Sequence, residues 1–197
     1  MTDWLLGQRV EPERVTLLVS LGDGEVGASV LTDGASSPGS LLAANELAHT
    51  QFPVTTDRCC CGQVGCLERV VSTAYYHRLG GDCPRLEEAL ARFDAVTPRS
   101  VEPIVELLSM AMANAVNLLR PHQLVLTGEL ARHEAFAAEL SRRVRVRALA
   151  PLADCLDVMH WTPQAPILAQ TAAWLALSRL FGLRPAHQRP DEMSISG

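Results

Sequence analysis

Arg14-Val-Thr-Leu-Leu-Val-Ser20 runs into Leu21-Gly-Asp-Gly-Glu-Val-Gly27 and then into Ala28-Ser-Val-Leu-Thr32, which ends at Asp33-Gly34. The outer stretches are β-branched and aliphatic and of strand length. The middle stretch is a glycine-rich turn, so the three together predict an antiparallel hairpin. Residues 35–66 are irregular, rich in Ser, Gly, Pro and Cys, and longer than an ordinary connection. A loop of that length is usually functional or pinned by something. Past residue 66 the pattern turns helical over 67–79, 84–93 and 101–119, the last apolar throughout and stopped at Arg120-Pro121. A short buried strand is expected at 123–127, a helix from about 132 to 146, a strand at 156–160 and a last helix at 166–181.

This order places strands that alternate with helices beside a hairpin. Right-handed crossovers then make those strands parallel, in a mixed sheet. The expected class is α/β, a mixed-sheet domain of ribonuclease-H-like type. One domain spans residues 1–197, and residues 183–197 form a loose tail.

The chain has 197 residues, 48% hydrophobic and 20% charged, enough to bury a core without disulfides. Its formal charge of −5 argues against a general nucleic-acid binder. Every basic side chain is arginine, so a Schiff-base lysine and a phosphate-loop lysine are both excluded from this sequence. Trp4-Leu5-Leu6 is too short for a signal-peptide core, and no apolar run is long enough to span a membrane. A cytoplasmic, reducing setting is therefore expected.

Four of the six cysteines, Cys59, Cys60, Cys61 and Cys66, crowd into one short segment with Gly62 and Gly65 between them. Neighbours this close cannot all find good disulfide geometry, and the cluster reads as a metal site. Cys59, Cys61 and Cys66 supply three thiolates. His49, upstream in the same loop, completes a closed tetrahedral zinc set, which makes the zinc structural. Cys60 lies between two ligands and is expected to point away. Cys83 and Cys155 are expected to be buried small hydrophobes.

Cys59-x-Cys61-Gly62-x-x-Gly65-Cys66-Leu67-Glu68, with Glu46-x-x-His49 upstream, resembles the signature of the ROK family of bacterial sugar kinases and sugar-responsive repressors. The resemblance extends over roughly residues 13–182 and implies an α/β, ribonuclease-H-like lobe of the actin/hexokinase type with a zinc-pinned loop. It implies that His49, Cys59, Cys61 and Cys66 bind zinc and that Glu46, His49 and Glu68 contact sugar hydroxyls. It also implies a carboxy-terminal lobe alone, without the lobe that carries the family's catalytic base and without the repressors' DNA-binding module. The turn Gly22-Asp23-Gly24-Glu25 puts two acids where the family's second phosphate loop carries Thr. Leu42, Asn45 and Ala48 stand where small residues are usual, and are expected to reshape the pocket.

Sugar-kinase activity is accordingly not expected of this chain alone. The leading expectation is a catalytically degenerate, zinc-stabilised protein that binds a sugar-like ligand or a protein partner in a regulatory or accessory role. One alternative is the carboxy-terminal lobe of a split or truncated sugar kinase. Another is a scaffold repurposed for other acid–base chemistry in the former sugar pocket. DNA binding through Arg142, Arg143, Arg145 and Arg147 is weaker, since arginines at a helix end usually form a solvated face. A homodimer, or a separate lobe, is expected to cover an apolar face near Val26, Leu41 and Leu42.

Overall fold

The computed structural model describes residues 14–32, 35–36, 46–93 and 98–162, which fall within one compact unit, Pro12–Thr162. The expected last helix, the tail, and Leu41, Leu42 and Asn45 lie outside the described residues. Strands β1 (Val15–Gly22) and β2 (Glu25–Thr32) form the expected hairpin. Their register runs from Val15 opposite Thr32 to Gly22 opposite Glu25, so only Asp23 and Gly24 remain to turn. The turn is tighter than the glycine-rich stretch suggested, because antiparallel pairing continues until a two-residue connection is left.

A two-residue strand β3 (Ala35–Ser36) adds to β2. Strand β4 (Gln123–Thr127) lies parallel to β1, and β5 (Asp157–His160) lies parallel to β4. The sheet is therefore mixed, in the order β3-β2-β1-β4-β5. All of β4 is buried, so its centre, Leu124–Leu126, is apolar on both faces and does not alternate.

The helices are α1 (Leu67–Val70), α2 (Thr73–Arg78), α3 (Leu86–Ala91), α4 (Glu102–Leu119), α5 (Glu134–Arg147) and α6 (Ala150–Cys155). The helix expected over 67–79 is two helices. Ser72 is extended (φ −151°, ψ 151°), and its Oγ caps α2 by accepting the Tyr75 N–H at 3.2 Å. The hairpin turn adds a second hold. Asp23 accepts the Thr73 N–H at 2.7 Å and the Thr73 hydroxyl at 2.5 Å, while the Gly24 N–H donates to the Val71 carbonyl at 2.8 Å. Acceptors at the Ser72–Thr73 step satisfy the amides of a new helix start, so α1 does not continue through it. Helix α6 is an addition that the sequence pattern did not reveal.

Helix α4 buries Ile104, Val105, Leu108, Ala111, Met112 and Val116 along one face. It packs against α5, which contributes Phe136, Leu140 and Val144 to the same core. At its end Arg120 takes a left-handed conformation (φ 50°, ψ 50°) before Pro121, as the stop signal predicted. Cys83 is buried as expected, but Cys155 is exposed at the end of the short α6, whose residues are not buried. Val26 belongs to the core at 4% exposure and does not contribute to an uncovered apolar face. Leu118, Val146 and Leu149 are the strongly exposed apolar side chains at the ends of α4 and α5. Among the described residues no helix is long and apolar enough to cross a membrane.

The arginines of α5 are tied to carboxylates and a carbonyl of the same molecule. Arg143 makes a two-pronged contact with Glu102 on α4, at 2.6 and 2.8 Å, and also meets Glu139 at 2.7 Å. Arg147 pairs with Glu106, Arg142 holds Glu139 through two bonds at 2.7 Å, and Arg145 donates to the Ala153 carbonyl at 2.9 Å. Hydrogen bonds from Arg142, with those from Arg143, outweigh burial and hold the Glu139 carboxyl down to about 2. A depressed carboxyl contributes stability above its unfolded pKa and loses it as pH falls through the folded value. Glu139→Gln should therefore lower the urea midpoint at pH 7, and the gap to the parent should shrink as pH falls from about 4.5 towards 2. Urea titrations across that range check it.

Candidate metal centre

The loop that follows the sheet edge has little apolar core of its own, so backbone bonds and its cysteines shape it. It opens with a 3₁₀ turn over Glu46–His49. The Phe52 N–H donates to the Gly65 carbonyl at 2.7 Å and the Leu67 N–H to the Thr50 carbonyl at 2.9 Å, which zips the two ends of the loop together. At its tip the Cys59 N–H reaches the Gln63 carbonyl at 2.8 Å, and the Gly62 N–H reaches the Cys59 carbonyl at 2.9 Å. Gly65 has φ +82°, and a Cβ there would lie 2.5 Å from the Phe52 carbonyl oxygen. Only glycine lets the strand ends approach so closely.

These constraints bring His49, Cys59, Cys61 and Cys66 together, with their donor atoms all within 4.8 Å of one another. Cys59 Sγ lies 3.6 Å from His49 Nδ1, and Cys61 Sγ lies 3.6 Å from Cys66 Sγ. A tetrahedral metal bound by thiolate and imidazole has donor–donor edges of about 3.8 Å (S–S) and about 3.5 Å (S–N). The observed separations match those edges, so the cluster could hold a metal ion. Nδ1 is turned towards the sulfurs, so an ion held there by Nδ1 would leave the His49 proton on Nε2 as a donor.

Burial and the neighbouring thiols and Glu68 push the Cys59 thiol up to about 12, and burial raises Cys66 as well. Cys61 is exposed and lowered, chiefly by the Gln63 N–H. A metal ion entering this site must expel the buried protons, so its binding strengthens as pH rises.

Glu68 is the second residue of α1, separated from Cys66 by Leu67 alone. Its Oε2 accepts from Cys59 at 3.1 Å, Cys60 at 3.6 Å and Arg69 at 3.2 Å. Burial works against its ionisation, but the hydrogen bonds from Cys59 and Arg69 and the Arg69 charge prevail and keep it below the ordinary glutamate value. The Glu68 carboxylate thus stands beside Cys59 of the cluster. Glu46 opens the 3₁₀ turn, and its side chain lies outside the described residues. Ala48, expected to intrude on a pocket, is 2% exposed and packs into the core.

Cys60, expected to point away, instead turns its thiol towards Glu68 at 3.6 Å and stays 3.8 Å from Cys59, outside the four-donor cluster. Sequence spacing did not reveal that grouping, nor the Asp23–Thr73 contact that turns one of the two turn acids inward. Neither is local in the chain, and no periodicity signals them.

A model of the ROK family matches residues 7–176. The N-acetyl-D-glucosamine kinase of Erwinia tasmaniensis is 30% identical over 147 residues, covering 66% of this chain and 48% of that protein. The ROK hexokinase from Thermus thermophilus superposes with a TM-score of 0.55 at 18% identity, over 75% of this chain and 52% of that one. A ROK-family transcriptional regulator, a homolog of the E. coli MLC protein, gives 0.58 at 23% identity, over 74% and 41%. The solved structures share the ribonuclease-H-like, actin/hexokinase-type fold expected from the element order and the family resemblance. The chain spans about half the length of the curated relatives it matches.

The two loop glycines separate conformational strain from collision. Both have positive φ, but a Cβ at Gly62 meets nothing within 4 Å, whereas one at Gly65 strikes the Phe52 backbone. Gly62→Ala should cost about 1 kcal/mol, the left-handed penalty alone. Gly65→Ala should cost at least twice that and weaken metal retention, which parallel denaturation and metal analysis of the two variants check.

Proposed function

This chain belongs to the ROK family, and on that footing we propose that it is a zinc-stabilised lobe that recognises a hexose or N-acetylhexosamine. Its role is regulatory or accessory, and it does not transfer phosphate by itself. The observation that carries the reading is the convergence of His49, Cys59, Cys61 and Cys66 with the Glu68 carboxylate 3.1 Å from Cys59. A donor set of three thiolates and one imidazole suits zinc in a closed, structural site. The ion would fix the loop and leave the His49 Nε2–H and the Glu68 carboxylate as a donor and an acceptor for vicinal hydroxyls. Related proteins are N-acetyl-D-glucosamine kinases, which makes N-acetylhexosamines the first sugars to try.

Phosphate binding is a different matter. The hairpin turn presents Asp23 and Glu25, and Asp23 is occupied by Thr73. A carboxylate beside a polyphosphate is repulsive without an intervening cation. A second reading has one supporting observation, the coverage of about half of each curated relative. It is the sugar-holding half of a kinase whose other lobe is supplied separately.

The isolated protein should carry one tightly held zinc per chain, lost in Cys66→Ser, as elemental analysis after desalting reads directly. Full zinc occupancy in that variant would overturn the ligand assignment. On the zinc-loaded protein, N-acetylglucosamine or glucose should raise Tm. Glu68→Gln should weaken that binding by about tenfold or more, the worth of a hydrogen bond to a charged group. No response to any hexose or N-acetylhexosamine would overturn the sugar reading. Nucleotide-dependent phosphorylation of a sugar by the pure chain would overturn the non-catalytic one.

A further inference from the structure

Cys60 is exposed, yet its thiol is not directed into solvent alone. Its Sγ lies 3.8 Å from Cys59 Sγ and 3.6 Å from Glu68 Oε2, and Cys59 Sγ lies 3.1 Å from the same carboxylate oxygen. These three side chains form a second group of donors within 4.8 Å of one another, separate from the first except at Cys59. Around a tetrahedral ion with thiolate and carboxylate ligands the edges are about 3.8 Å (S–S) and about 3.5 Å (S–O). Two of the three observed separations match. The third is short because a thiol proton now bridges Cys59 and Glu68, and a larger cation in its place would lengthen it.

We propose that Cys59, Cys60 and Glu68 form a second metal site that shares the Cys59 sulfur with the first and takes a soft divalent cation, zinc or cadmium. A thiolate sulfur has lone pairs enough to bind two metals at once. Soft sulfur ligands select such cations over magnesium or calcium. The charges agree as well. Four thiolates and one carboxylate against two divalent ions leave a single negative charge, which the Arg69 guanidinium meets at 3.2 Å from Glu68. The second ion would be held by the Cys60 sulfur as thiolate and by the Glu68 carboxylate beside the shared Cys59 sulfur. With three protein ligands, one position stays open to water or a small anion, so this ion exchanges more readily than the first.

The site does not depend on sugar recognition, and a failure of the sugar experiments leaves the metal count unchanged. The test is titration of the metal-free protein with cadmium, read by native mass spectrometry and cadmium-113 NMR. The expected result is two ions per chain, the second at least tenfold weaker, with two resonances coupled through the shared sulfur. Cys60→Ser should retain one tight ion and lose the second, and Glu68→Gln should weaken only the second. Cys60 is exposed, and the retained tight ion itself reports an intact loop. A single ion in the parent at excess cadmium, or two ions in Cys60→Ser, overturns the site. Loss of both ions in Cys60→Ser also overturns it, because Cys60 would then belong to the first site.

Discussion

Two thiols taken out of water, Cys59 at 4% exposure and Cys66 at 0%, face an imidazole and a third thiol at tetrahedral spacing. Everything distinctive about the loop follows from that convergence. A segment with so little hydrophobic surface cannot pay for its own ordering through burial. Backbone bonds to Phe52 and Leu67 close its ends, and the donor cluster closes its middle. Structural zinc in small modules contributes on the order of 10 kcal/mol to folding, far more than those few hydrogen bonds supply.

The same convergence sets the position of Glu68 from one side, and the hairpin sets it from the other. Glu68 follows Cys66 after a single residue, so the cysteine anchors the start of α1. Beyond α1, Gly24 and Asp23 of the β1–β2 turn hold Val71 and Thr73. A carboxylate acceptor makes the Thr73 bonds charge-assisted, each worth about 1.5–3 kcal/mol. The four-residue helix between these anchors has no freedom to slide. Asp23 and Glu25 looked alike in the sequence, as a pair of acids in a phosphate-loop position. In the fold they differ, because Asp23 has become part of the α2 start.

Sugar kinases and transcriptional regulators both appear among the relatives of this fold. Shared architecture does not choose between them, since function resides in the site that the fold presents. What this chain presents is a carboxylate, Glu68, beside a cluster of one imidazole and three thiols that could hold a metal ion. Among the described residues, the arginines of α5 are engaged within the fold. Arg143 bridges α4 and α5 with the bidentate geometry that a lysine could not supply.

Much of the fold was legible in the sequence because it rests on local patterns. The hairpin, the buried β4, the α4 stop at Arg120-Pro121 and the parallel pairing of β4 and β5 all follow from periodicity, turn chemistry and chain order. The grouping of His49, Cys59, Cys61 and Cys66 was legible too, since three of them share one short glycine-punctuated segment and His49 lies in the same loop. The break between α1 and α2 could be seen only in the fold. It depends on Asp23, fifty residues away, and a long-range acceptor leaves no mark on local propensity. Cys60 shows the same division. From the sequence it was expected to point away from Cys59 and Cys61, yet its thiol lies 3.8 Å from Cys59 and 3.6 Å from Glu68. That approach required tertiary structure, because only the folded turn fixes the direction in which the thiol points.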